Sequence, residues 1–179
     1  MSFSLKNSYL CLTIILNLPR NRKNASGRVI TLIWTEQSII YMMGSRRYLL
    51  DTNVLIELIH GNPDVINHIV AVGSDSCAVS VISVHELYFG AYNAPSEKYF
   101  KQEMDRIRML LSRFEIIPLP ERADDYGRIK TTMRRKGHIV DEFDMLNAGQ
   151  ALFFDMIVVT NNLKHFFNID NLKVEDWTK

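Results

Sequence analysis

Cysteine is nearly missing from this chain of 179 residues: Cys11 and Cys77 stand far apart, with no CxxC spacing. That excludes a disulfide framework and a thiolate zinc site, and makes a reducing compartment, the cytoplasm, the expected one. Five prolines and eight glycines are too few for collagen-like, linker-like or low-complexity material. Neither a G-x-G-x-x-G fingerprint nor a P-loop occurs, so nothing supports a nucleotide cofactor. Long apolar runs are lacking too. The run at residues 9–18 has ten residues, against the roughly 20 that span a bilayer, so no membrane role is expected. A large net charge is absent as well, at +1 overall. Residues 1–43 hold five Lys and Arg against one Glu, or +4, which leaves residues 44–179 at −3. Such a body lacks the bulk charge of a phosphate-backbone binder, and any nucleic-acid role needs a local offset.

What is present is an ordinary globular composition, 47% apolar, long enough for one domain with a core. Residues 1–43 read apart from the rest. Their apolar run is followed by Pro19 and a basic, polar stretch; Lys6 is the sole basic residue before the run and no A-x-A-like site follows it, which speaks against a signal peptide. Met42-Met43-Gly44 then precede a strand-like RRYLLD. We expect the start at Met42 or Met43, with 1–43 an upstream frame or a poorly ordered extension, and 44–179 the folded domain.

From residue 46 onward short apolar runs alternate with amphipathic segments. The pattern predicts strands over 48–50 and 76–81 and helices over 54–60, 64–72, 83–92 and 96–114. In the last helix Phe100, Met104, Ile107 and Leu111 form one buried stripe. An edge strand is expected over 115–119, where Pro118 removes a ladder donor. Helices over 121–136 (closed by Gly137) and 142–154, and strands over 156–160 and 172–177, complete the series. Strands alternating with helices define a three-layer α/β/α domain with a mainly parallel central sheet.

Three acids occupy comparable places: Asp51, Glu86 and Asp144 each follow a strand or open a helix, and Asn162 follows a strand. The carboxyl ends of parallel strands border one crevice, so such residues can converge. Carboxylates meeting there repel unless a hard divalent cation such as Mg²⁺ holds them. Singly, each has an equally good structural reading. Asp51 or Asn53 caps a helix, Ser83 to Glu86 has capping-box spacing, and Asp141 with Asp144 resembles another. Their shared placement in apolar surroundings favours a site. His85-Glu86 is no zincin pair, because Phe89 stands where the second His would be. His60, His68, His138 and His165 are expected at the surface or at caps. Phe153-Phe154, Phe166-Phe167, Leu87, Phe89, Tyr92 and Tyr99 are assigned to the core before partner contact. Arg134-Arg135-Lys136 marks a helix end, a solvated face that can also hold phosphates.

The stretches YLLDTNVLIEL (48–58), SVISVHELYFGA (80–91), RRKGHIVDEFDMLNAGQAL (134–152) and VVTNNLKHFFNIDNLKVEDW (158–177) together resemble a PIN domain, most closely a VapC-type toxin nuclease. The resemblance implies that Asp51, Glu86 and Asp144 are metal-binding catalytic acids. Asn162 takes a fourth catalytic position where many relatives carry Asp, and Asn147 a place where relatives usually have an apolar residue. Thr160 corresponds to a hydroxyl that orients the first Asp, with Asn53 in support. Also implied are Mg²⁺- or Mn²⁺-dependent hydrolysis of RNA, its target left open among tRNA, ribosomal RNA and messenger, an antitoxin that wraps the helical face and blocks the site, and a homodimer. Bound metal would reverse the local field of a body at −3, and Arg134, Arg135 and Lys136 would meet the RNA backbone. Two other readings stay open. One is a catalytically silent RNA- or protein-binding module of the same fold, to which Asn162 and Asn147 lend support. The other is a phosphohydrolase with Asp51 as nucleophile, which Asn53 disfavours because a second Asp belongs there.

Overall fold

The structure, a computed structural model, describes residues 48–179 apart from Glu121 and Ile139. The expectation for 1–43 lies outside the described residues. The elements run β1 (Tyr48–Leu50), α1 (Thr52–Ile59), α2 (Pro63–Val72), β2 (Cys77–Ser80), α3 (Val81–Tyr92), α4 (Glu97–Leu111), β3 (Glu115–Ile117), α5 (Asp124–Arg135), α6 (Glu142–Phe153), β4 (Ile157–Val159), α7 (Leu163–Phe166) and β5 (Lys173–Glu175).

The five strands form one sheet in the order β3-β2-β1-β4-β5, and every pairing is parallel. β1, β2 and β4 are buried on both faces, as central parallel strands with covering helices must be. Alternate side chains feed two cores. Tyr48, Leu50, Cys77, Val79, Ile157 and Val159 face α1–α4. Leu49, Ala78 and Val158 face α5 to α7, with Met133, Ala148 and Phe166 packed on them. The α/β/α layering expected from sequence is therefore present, and its sheet is wholly parallel. β3 is an edge strand ended by Pro118, with Glu115 and Ile116 exposed. α5 and α6 lie antiparallel. Tyr126 crosses Gly149 so closely that a Cβ there would meet its backbone at 3.1 Å, while Lys130, further along α5, pairs with Glu142 at the opposite end of α6.

Several local expectations are corrected. α3 begins at Val81, capped by Ser80, so Ser83 is no cap: it is buried inside the helix, and its hydroxyl has no side-chain or backbone partner. Asp141 caps α6 through the Phe143 amide, but Asp144 makes another contact and completes no box. Phe89, Tyr92, Tyr99 and Phe167 are exposed, at 71, 72, 55 and 83%. They lie on the outer stripes of their helices, where the facing core positions are already filled by Leu87, Ala91 and Phe166. α7 was not foreseen; four residues are too few for a periodic signal.

Candidate active site

The sheet runs outward from β1 in both directions, to β2 and β3 on one side and to β4 and β5 on the other. The carboxyl end of β1 is therefore a point where strand order reverses, the usual place of a crevice in an open parallel sheet. Asp51 stands there. Its amide still donates to Val159 O at 3.0 Å, continuing the ladder. Its side chain then turns to cap α1, accepting from Thr52 N at 2.9 Å. The structural reading of Asp51 is thus correct, and it does not exclude the functional one.

Asp51 is only 5% exposed, and four donors surround its carboxylate. Thr52 N and Asn147 Nδ2 (3.4 Å) donate to Oδ1; Asn53 Nδ2 (3.0 Å) and Thr160 Oγ1 (2.8 Å) donate to Oδ2. Thr160 uses its hydroxyl fully, accepting from Asn53 Nδ2 at 2.9 Å and from Asn162 N at 3.0 Å. Asn53 closes the ring by accepting from Asn161 N at 3.3 Å. The turn after β4 is thereby pinned to the turn after β1.

The other two acids arrive from helices. Glu86 lies in the second turn of α3 and accepts from the Thr52 hydroxyl. Asp144 lies in the first turn of α6 and is hydrogen-bonded by His165 Nδ1 from α7. Asn162 does not reach an acid directly; its amide group meets the same His165 nitrogen at 2.8 Å. His165 lies at the surface as expected, its side chain 38% exposed, and it also joins Asp144 to the fourth position. Its spacing three after Asn162, in a helical first turn, was the available signal. Thr52 was likewise missed.

All three carboxyls are pushed above the ordinary carboxylate value, in each case mainly by burial. For Asp51 the charge of Asp144 adds to this and the Thr160 hydrogen bond opposes it. For Glu86 the charges of Asp51, Asp144 and Asp141 add and Thr52 opposes. For Asp144 the charge of Asp141 adds and His165 opposes. The acids thus feel one another, although each is turned to a protein donor. Among the described residues no three His, Cys, Asp or Glu side chains stand close enough as placed to hold a metal ion. The donor chemistry nonetheless fits a hard divalent cation: the groups are oxygen-bearing, buried (Asp51) or half-buried (Glu86, Asp144), and mutually repulsive, the condition that such an ion relieves. Arg134, Arg135 and Lys136 are exposed at the end of α5 that lies toward the start of α6. Lys136 pairs with Asp170 at 3.8 Å.

A wholly parallel α/β/α domain with a buried acid at its strand switch point and two half-buried acids from its helices belongs to a class of folds that work at the carboxyl edge of the sheet. Residues 48–172 match the PIN domain, and the chain belongs to that family. It is similar to Ribonuclease VapC2 of Rickettsia felis, 33% identical over 135 residues that cover 74% of this chain and 98% of the relative. It is also similar to the tRNA(fMet)-specific endonuclease VapC of Salmonella typhimurium, 30% identical over 132 residues, 73% of this chain and 98% of that one. Among solved structures, VapBC2 from Rickettsia felis, bound to a DNA fragment from its promoter, matches with a TM-score of 0.65 and 31% identity. That match covers 73% of this chain and 98% of the other.

Proposed function

We propose that this protein is a metal-dependent endoribonuclease and the toxin of a toxin–antitoxin pair, acting in the cytoplasm. The observation that carries the reading is the set of three mutually repelling acids, buried Asp51 and half-buried Glu86 and Asp144, at the switch point of a chain that covers VapC ribonucleases almost end to end. These acids would hold Mg²⁺ or Mn²⁺, which when bound polarises a scissile phosphate and lowers the pKa of the attacking water. The protein's own part is positioning. Thr160 and Asn53 fix the Asp51 carboxylate, Thr52 steadies Glu86, and His165, backed by Asn162, steadies Asp144. Arg134, Arg135 and Lys136, at the end of α5 toward the start of α6, supply cations for the RNA backbone of a substrate such as tRNA.

The partner is an antitoxin. A groove of about 460 Å³ between α1, α2 and α4 is lined by Leu58, Ile66, Val70, Met109 and Phe114, with Arg106 and Arg113 beside it. Val70 and Met109 are 76 and 64% exposed, an apolar surface that an isolated domain gains nothing by showing to water. An amphipathic antitoxin segment with acidic residues suits it. The toxin itself is expected as a homodimer, which light scattering tests.

The deciding experiment incubates antitoxin-free protein with total RNA, with and without Mn²⁺ or Mg²⁺, beside Asp144→Asn. Discrete fragments that need both the metal and the wild-type side chain support the nuclease. Intact RNA with folded, metal-supplied wild type moves the reading to a silent binding module.

A further inference from the structure

Asn147 sits one turn after Asp144 on α6 and is 1% exposed. Its Nδ2 donates to Asp51 Oδ1, while its Oδ1 is buried without a hydrogen-bond partner. A half-satisfied buried amide is a loss to the fold that an apolar side chain of similar size would not incur. Turning the amide over would set its oxygen against an ionised carboxylate, so Asp51 dictates its orientation. Four donors converge on the Asp51 carboxylate, two on each oxygen. Thr52 and Asn53 reach it from the β1–α1 turn and Thr160 from the end of β4. Asn147 is the donor that ties it to α6, the helix carrying Asp144.

We infer that Asn147 is a positioning residue, whose amide holds the Asp51 carboxylate in place relative to Asp144 so that the two acids can share a divalent cation. This rests on the metal-dependent reading above and adds to it a neutral residue. The orphaned oxygen makes a purely stabilising role a poor explanation, because a leucine in the same space would remove that unmet acceptor and leave Asp51 Oδ1 still bonded by Thr52 N.

The test measures Mn²⁺ binding calorimetrically on the full chain for wild type, Asn147→Leu, Asn147→Ala and Asp144→Asn, with thermal unfolding of each in EDTA. Both Asn147 variants are expected to bind Mn²⁺ about 10–100-fold more weakly, the range for residues that orient metal ligands. Asn147→Leu should melt in EDTA no lower than wild type. If the leucine variant does not fold, Asn147→Ala, which suits a helix and removes only the amide, carries the comparison. Equal Mn²⁺ affinity in wild type and Asn147→Ala overturns the inference and leaves the nuclease reading standing. Weaker binding matched by lower melting in EDTA for both variants assigns Asn147 to structure, and also overturns it. Failure of wild type to bind Mn²⁺ overturns the metal-dependent reading, and the inference with it.

Discussion

Glu86 illustrates how a single carboxylate at this site can work against the fold. Burial, reinforced by the charges of Asp51, Asp144 and Asp141, raises its carboxyl above the ordinary value. For a group raised in the folded state, stability is fullest below the unfolded pKa and is lost as pH climbs through the folded one. Glu86→Gln keeps an acceptor for the Thr52 hydroxyl but carries no charge. It is therefore expected to melt above wild type in EDTA at pH 7, the gain shrinking as pH falls through the carboxylate range; thermal melts across that range check this. Asp144→Asn should cost at least about a hundredfold in RNA cleavage, because a carboxamide is a poor metal ligand beside the remaining acids. A gel assay alongside circular dichroism separates lost chemistry from lost fold. Thr160 is different, since its hydroxyl donates once and accepts twice at 0% exposure. Thr160→Val fills the same space yet strands the Asn53 and Asn162 donors, and we expect a loss of about 1–3 kcal/mol in urea unfolding.

At the level of elements, the helices divide their work by face. α1–α4 cover one side of the sheet and present the apolar groove; α5 to α7 cover the other and carry Asp144 with its His165 support. The groove and the acids can therefore be altered separately. Val70→Asp or Met109→Asp should weaken cognate antitoxin binding by roughly 10–100-fold, the scale of a buried apolar anchor, and leave RNA cleavage unchanged; titration calorimetry and the cleavage assay read the two effects. The central strands were legible in sequence because burial on both faces leaves short unbroken apolar runs such as YLL and IVV. Helix starts were less so. Ser80 and Ser83 are both plausible caps by type, and only the end of β2 decides that Ser80 serves.

For the molecule as a whole, the proposed cation would be a stabilising ligand, given the −3 charge of residues 44–179 and the raised carboxyls at the switch point. Mn²⁺ at a hundredfold its dissociation constant contributes about 2.7 kcal/mol by mass action, which for a domain of this size is a rise of about 5–10 °C in melting temperature. Wild type should show that rise and Asp51→Asn should not, as differential scanning fluorimetry with and without EDTA would record. The sequence by itself determined the alternation of strands and helices and the edge position of β3, because periodicity and proline are local properties; it also put forward Asp51, Glu86 and Asp144 as candidate acids, through their places after a strand or at a helix start and through the family resemblance. Only the tertiary structure decided that His165 braces Asp144, that Asn147 reaches Asp51 across 96 positions of chain, and that Phe89, Tyr92, Tyr99 and Phe167 face outward. Those contacts join segments distant in sequence, and which face of a helix meets the core is settled by what the sheet and its neighbours already fill.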